Sequence, residues 1–336
     1  MTSIETVMLT AGDPDPAVAV DRGITLTPAA ERVAHAADRT LLLLDRGSLV
    51  ARCSCWWKTT PHVDGGPAGA IGHYAAADAA SSQLLLQRAC ETLAAEGART
   101  AVGPMDGTTW RRYRFIVHRG SEPPFFLEPD NPADWPAHWM AAGFATLATY
   151  TSALNENLAA RDPRTAAALD TLRDRGISIR PLDPARVQGE LQSIFALSLS
   201  AFSRNFLYTP IGEDEFLAQY RAVMPYVDPA LVLLAEKGDS LVGFMFALPD
   251  LLEQRRTGSI ETSIPKTIIL KTIAVDPAFA GIGLGGVLMD LVQQKAHENG
   301  FRRAVHALIH ETNVSGRLSS RSARTFRRYA LFAKPL

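Results

Sequence analysis

The chain has 336 residues, 47% apolar and 21% charged, with a formal net charge of −1. That is room for two domains of ordinary size, in a composition that describes a folded globular protein rather than a disordered one. The near-neutral charge gives no electrostatic footprint for nucleic acid or an anionic membrane surface, and no apolar run reaches the length of a membrane span. The opening MTSIETVMLTAGDPDP lacks the basic and apolar regions of a signal peptide, so a cytoplasmic location is expected.

Residues 1–20 read as a loose lead-in followed by a short segment. Residues 40–57 read as two strands, LLLL and LVARCSCWW, turning at Asp45-Arg46-Gly47-Ser48, which is a hairpin signal. Cys53 and Cys55 alternate at strand period and share a face. With Cys90 they make an odd count, suited to a reducing compartment, and no second pair or histidine cluster completes a site, so no metal is expected. Residues 59–68, with two prolines and two adjacent glycines, read as a loop, and 69–74 as a short strand. Residues 78–96 form a predicted helix, with Leu84, Leu85, Ala89 and Leu93 at helical spacing and Gly97 as its stop; 99–102 return as a strand.

Residues 103–136 break this rhythm with GPM, TTWRRYRF and SEPPFFLEPDNPADWP. A long connection of aromatics and prolines either packs as a lid or faces a substrate. A short helix over 138–144 and a strand through Leu154 follow, then a polar, alanine-rich connecting helix over 155–175 that ends at Gly176. From Ile177 the pattern restarts. ISIRPL is a strand, and 184–202 is amphipathic through Val187, Leu191, Ile194, Phe195 and Leu199. A loop with Asn205, Tyr208 and Pro210 leads to a second helix over 213–224. A hairpin, 231–235 and 241–247, turns at Lys237-Gly238-Asp239, and 249–265 is a charged loop.

The two halves share an order of hairpin, strand, long helix ending in Gly, and strand. DRGSLVARCSCWW lies opposite KGDSLVGFMFAL, and AAEG-ARTAVG opposite HENG-FRRAVHAL. This is a weak internal duplication at domain scale, 1–155 and 177–336 around a linker helix at 156–176.

Residues 267–299 make one functional unit. TIILKTIAV suits a buried strand, 276–280 is a Pro-containing turn, and Gly281, Gly283, Gly285 and Gly286 open a helix through Val287, Leu288, Leu291, Val292, Lys295 and Ala296, which stops at Asn299-Gly300. A strand, a glycine loop and a helix N-terminus in that order form an anion site, because unpaired N–H groups and the helix dipole favour a phosphate that glycine lets approach. The equivalent segment of the first half, YAAADAASS at 74–82, has no such loop. Gly281, Gly283 and Gly286 also satisfy the G-x-G-x-x-G of a dinucleotide fold. There, however, the first glycine follows the strand directly and further βα units come after, whereas here 276–280 intervene and little chain follows. No Lys-Ser/Thr follows the glycines, which excludes a Walker loop.

Val275-Asp276-Pro277, Gly281-Ile282-Gly283-Leu284-Gly285 and Leu288 closely resemble the acetyl-CoA-binding motif of GNAT N-acetyltransferases, a V-x-P strand end before a Q/R-x-x-G-x-G/A loop. The Gln/Arg position is Ala280 here, which removes one side chain near the phosphates. The element order extends the resemblance over 177–336, and WMAAGF with its following strand makes the first half look like a degenerate copy. The resemblance implies an α/β (α+β) mixed-sheet fold, two tandem GNAT-like acyl-CoA N-acyltransferase folds with acetyl-CoA as cofactor. It implies a pyrophosphate on the N–H groups of Ile282, Gly283, Leu284, Gly285 and Gly286, and a pantetheine along the strand edge at Ile273 and Val275. It also implies a thioester carbonyl polarised by the N–H of Ala274 or Val275, and Asn313 facing the pantetheine.

Acetyl transfer to an amine further needs a base for the ammonium and an acid for the thiolate. Lys271 and Thr272 occupy the family's position for the base, and Ser320 stands where it often has a tyrosine acid, leaving Tyr329 as the nearby phenol. His310 and Glu311 lie at a strand end beside the expected thioester, as catalytic groups or as a solvated strand end. Tyr208, Glu213 and Asp214 belong to the helix-loop-helix that covers the acceptor in this family. Arg317, Arg321, Arg324, Arg327 and Arg328 either meet the CoA 3′-phosphate or form a solvated face. Three readings follow: an N-acetyltransferase acting by direct attack of a small-molecule or peptide amine, a catalytically silent acyl-CoA-binding or regulatory protein, and a dinucleotide enzyme. The partners expected are the amine acceptor, with no nucleic acid and no membrane, in a monomer or homodimer.

Overall fold

A computed structural model describes residues 4–256 and 265–336. The first half contains β1 (Glu5–Leu9), α1 (Ala29–Ala34), β2 (Arg39–Asp45), β3 (Ser48–Trp56), β4 (His62–Val63), β5 (Gly66–Ala76), α2 (Ala79–Ala95), β6 (Thr100–Gly103), β7 (Phe115–His118), α3 (Trp135–Ala141) and β8 (Ala145–Asn155). Helix α4 (Thr165–Asp174) leads to the second half: β9 (Ile177–Pro181), α5 (Val187–Phe202), α6 (Glu213–Val223), β10 (Val232–Lys237), β11 (Ser240–Pro249), α7 (Leu251–Arg256), β12 (Thr267–Val275), α8 (Leu284–Glu298), β13 (Arg303–His310), α9 (Val314–Ser319) and β14 (Arg324–Pro335).

Elements with a clear period lie where the sequence puts them, and the differences have local causes. β7 is four residues inside the proline-rich connection, and α1 is six residues with no side-chain cap, both too short to show a period. The connecting helix is shorter than expected because β8 runs to Asn155 and Pro163 disfavours helix at the residue before it. α7 occupies part of the expected charged loop; its residues 257–264 lie outside the described residues.

The strands form one mixed sheet in the order β1-β2-β3-β5-β6-β14-β8-β13-β12-β11-β10-β9, with β4 on β5 and β7 on β14. Each half has one parallel pair, β5 with β6 and β12 with β13. That is an α+β mixed sheet and not the doubly wound parallel sheet of a dinucleotide fold. The halves exchange strands at the centre. β14 pairs with β6 (Ala333↔Val102), and β8 pairs with β13 (Val305↔Leu154) as well as with β14.

Alternation fixes the layers. On β11, Phe244 and Phe246 point to one core with Leu191, Ile194 and Phe216 from α5 and α6, while Met245 and Ala247 point to another with Val287, Leu288 and Val292 from α8. In the first half α2 buries Leu85, Leu86, Ala89 and Leu93 against Cys53, Cys55 and Trp139. At about 1.5–3 kcal/mol for each large side chain removed from water, these layers hold the central strands rigidly.

Candidate active-site cleft

The pairing of β12 with β13 stops at Leu270↔His306. Beyond it β12 stays on β11 as far as Val275↔Gly243, and β13 continues on β8 to His310↔Tyr150. The two strands therefore splay. A bulge helps to separate them: Leu308 has φ of 58°, and its N–H donates to Ser152 Oγ at 3.1 Å. The β13-side edge of residues 271–275 is left without a strand partner.

At the end of β12, Asp276 accepts from the Ala278 N–H at 2.8 Å and closes a turn of 3-10 helix over Pro277–Phe279. Gly281 and Gly283 follow with φ of 81° and 88°, a region that favours glycine. Among the described residues, the N–H groups of Ile282, Gly283, Leu284, Gly285 and Gly286 make no hydrogen bond; the Val287 N–H is the first to return, to Gly283 O at 3.1 Å. A Cβ on Gly286 would lie 3.6 Å from Nη1 of Arg321, so a guanidinium borders this row of donors. Ala280 is exposed and adds no polar group. Five free donors at a helix N-terminus beside a cation fit the diphosphate of a CoA.

A cavity of about 1380 Å³ opens between the splayed strands and extends into the first half. Lys271, Thr272, Ile273, His310 and Asn313 line it, with Phe202, Phe206, Tyr208 and Tyr220 from the second half and Trp110, Tyr113, Arg114 and Tyr150 from the first. Lys271 keeps accessible surface within the cleft, but so many atoms surround it that desolvation lowers its amine pKa; its Nζ lies 5.5 Å from the Tyr220 ring centre. His310 is lowered too, first by burial. Its Nδ1 accepts from the Thr312 N–H at 3.2 Å, which leaves the proton on Nε2, enclosed and with no acceptor. The ring stands edge-on to Tyr150 at 4.9 Å and lies 5.6 Å from Phe206.

The other residues singled out in the sequence lie elsewhere. Tyr329 is fully enclosed and does not line the cleft. Its hydroxyl donates to Glu128 and sits 3.0 Å from Ser152 Oγ, and burial raises its pKa. Sealed in this way, the phenol has no opening to the reacting centre, which corrects its reading as the acid. Glu311 is exposed and bonded to the Thr149 hydroxyl, Glu213 accepts from Gln192 at 3.1 Å on the surface, and Asp214 is exposed at the start of α6. None of the three lines the cleft. The arginine cluster is dispersed: Arg327 is buried against Glu128, Arg324 pairs with Glu122 and Glu156, and Arg321 pairs with Asp162. His306 is a structural residue, buried between Ser319 and Gln293, with its pKa lowered to about 4 by desolvation.

The first half has the same splay, closed by its own chain. β5 and β6 part after Ala70↔Val102. There the Met105 N–H donates to Ile71 O at 2.8 Å, and Asp106 Oδ1 accepts from the His73 N–H at 2.6 Å. The N-terminus of α2 is capped by Asp78, which accepts from the Ser81 N–H at 2.8 Å. Nearby, Glu31, His35 and His73 hold their ligand atoms within 4.8 Å of one another, a set unseen in the sequence because His73 comes from β5, far along the chain from Glu31 and His35 of α1 and its cap. It has the donors for a cation, but Arg32, Arg52 and Arg111 oppose positive charge at His73. Together with burial, which acts first, and His35, they bring the His73 pKa to about 3.

The sequence profile of the Acetyltransferase (GNAT) family matches residues 192–317. No curated protein matches the chain in sequence. Among solved structures, the GCN5-related glucosamine N-acetyltransferase region of a fungal multi-domain β-N-acetylglucosaminidase aligns at a TM-score of 0.51 and 14% identity, over 88% of this chain and 33% of that one. This chain thus spans about a third of that protein's length. A GCN5-related N-acetyltransferase from Sphaerobacter thermophilus aligns at 0.49 and 15%, over 88% and 80% of the two chains. A tandem GNAT protein from the clavulanic acid biosynthesis pathway aligns at 0.49 and 13%, over 99% and 98%. At such identities the likeness is one of fold. The profile thus identifies a GNAT acetyltransferase domain at residues 192–317, and the strand order around that domain is repeated in the first half.

Proposed function

We propose that the chain is an acetyl-CoA-dependent N-acetyltransferase that acts on a primary amine of a small molecule or peptide by direct attack. It is built as copies 1–155 and 177–336, of which the second holds the cofactor. One observation supports this above the rest: in the second half a row of N–H donors unpaired among the described residues, 282–286, continues into an unpaired strand edge, residues 271–275. Bound acetyl-CoA supplies the acetyl group as a thioester. The loop N–H groups hold its diphosphate, the edge at Ile273 and Val275 orients its amide-bearing arm, and the N–H of Ala274 or Val275 faces the thioester oxygen. Lys271, its charge disfavoured by desolvation within the cleft, takes the proton of the incoming ammonium at Nζ. His310 lines the same cleft, and the leaving thiolate recovers the proton that Lys271 took from the ammonium. The aromatic walls of the cleft exclude water from the reacting centre.

A silent acyl-CoA-binding role is the second reading, favoured by the absence of any carboxylate on β12 or β13. Calorimetric titration with CoA and NADH, then free-thiol release across an amine panel, separates the readings. The expected result is CoA binding near 1 μM, about −8 kcal/mol, no NADH binding, and acceptor-dependent thiol release. Tight CoA binding with no release for any amine favours the silent reading, and NADH binding without CoA binding overturns both.

A further inference from the structure

Three arginines are buried among the described residues: Arg32, Arg114 and Arg327. Arg32 pairs with Asp15 at 2.5 Å and Arg327 with Glu128 at 2.5 Å. Arg114 has 7% of its surface exposed and pairs with no carboxylate among the described residues. Its guanidinium carbon lies 3.9 Å from the Tyr113 ring centre and 4.3 Å from that of Tyr150. Nη1 donates one long hydrogen bond to Leu308 O at 3.4 Å, Nε is enclosed without a partner, and Nη2 donates none among the described residues. Aromatic faces offset part of the cost of burying a cation, but an unpaired buried charge still calls for an anion.

The backbone is committed to this placement. Arg114 has φ of 68°, uncommon for a side chain of its size, and is held there by its N–H donating to Pro104 O at 2.8 Å. The side chain lines the cleft from the first half and touches Leu308 at the bulge of β13. Tyr150, against which it packs, is also the ring that His310 meets edge-on. The unpaired cation and the imidazole thus pack against the same ring.

We propose that the acceptor is an amine bearing a carboxylate a few bonds from its nitrogen, as in an α- or β-amino acid, and that Arg114 anchors that carboxylate. A guanidinium gives a carboxylate paired, charge-assisted hydrogen bonds, a match that a neutral amide group cannot make. The inference rests on the acetyltransferase reading above, because it takes the cleft beside Lys271 and His310 as the acceptor site. It also gives the first half a part in the reaction that its own closed splay does not supply.

The test uses the full chain with N-acetylglycine, N-acetyl-β-alanine and N-acetylphenylalanine, each compared with its carboxamide by calorimetry with and without CoA. At least one acid is expected to bind ten or more times more tightly than its amide, and Arg114→Gln is expected to abolish that difference while keeping the wild-type CoA affinity. Equal binding of acids and amides, no binding of any acid, or an acid preference that survives in Arg114→Gln would overturn the anchor. If Arg114→Gln does not fold, the wild-type comparison and Arg114→Lys decide, with partial retention of the preference expected in Lys. CoA binding without acid preference removes only the carboxylate anchor. Failure of CoA to bind removes the acetyltransferase reading, and the CoA-free titrations still measure the acid preference.

Discussion

The two splayed strand pairs, β5/β6 and β12/β13, begin with the same ladder and end with opposite chemistry. Counted from Ala68↔Thr100 and Thr267↔Arg303, Gly72 stands where Lys271 stands. A Cβ on Gly72 would lie 2.3 Å from Met105 O, because the chain itself fills that splay. In the second half the corresponding gap is open and lined by side chains. The helix termini differ likewise: Asp78 supplies a carboxylate to the start of α2, whereas α8 starts at Gly283 with no side-chain cap. The second half thus has both an uncapped helix and an unpaired edge, and the first half has neither, each being filled by its own residues.

The largest expected break in this contrast is Gly283→Asp. It puts a carboxylate against the expected diphosphate and a side chain at φ of 88°, so calorimetry should show CoA affinity falling more than a hundredfold. Unchanged affinity would dismiss the loop as the cofactor site. Lys271→Met comes next, with kcat about a hundredfold lower and CoA affinity retained. Since desolvation lowers the wild-type amine, the wild-type rate should rise with pH through that lowered pKa, and the variant's profile should lose that limb.

Asp106→Asn tests the closed half. Burial raises the Asp106 carboxyl to about 6 in the folded protein, so its stabilising effect is present below the ordinary carboxylate pKa and is lost as pH rises toward 6. The Asn variant keeps an acceptor for the His73 N–H without the charge. Its stability relative to wild type in urea unfolding should therefore improve by up to about 3 kcal/mol between pH 4 and pH 7. A pH-independent difference would contradict this. Asp78→Ala should cost only about 1 kcal/mol, through loss of the cap, with CoA affinity untouched.

The glycine loop was legible in the sequence because its requirements are local: a strand end, a proline turn, glycines at positive φ and an amphipathic helix lie consecutively. The helices with a full apolar stripe were legible for the same reason. Arg114 was not, because within TTWRRYRF it is one arginine among three, and only the fold leaves it without a carboxylate. Tyr329 is the tyrosine nearest Asn313 in the sequence, but the side-chain contacts of β14 seal it against Glu128 and Ser152. Asp106 sits in GPMDG, which reads as an ordinary turn. That it fills a strand edge depends on β5, more than thirty residues earlier.

The exchange of β8 and β14 bears on how the chain is made. β6 is complete at residue 103 and pairs with β5 on one side, but its neighbour on the other side is Arg324–Pro335, more than two hundred residues later. During synthesis the first half therefore emerges with an unpaired sheet edge that only the final strand of the second half covers. Pairings of such large sequence separation are slow to form and leave edges open to aggregation meanwhile. The halves thus reach their native state together, each supplying the strand on which the other closes.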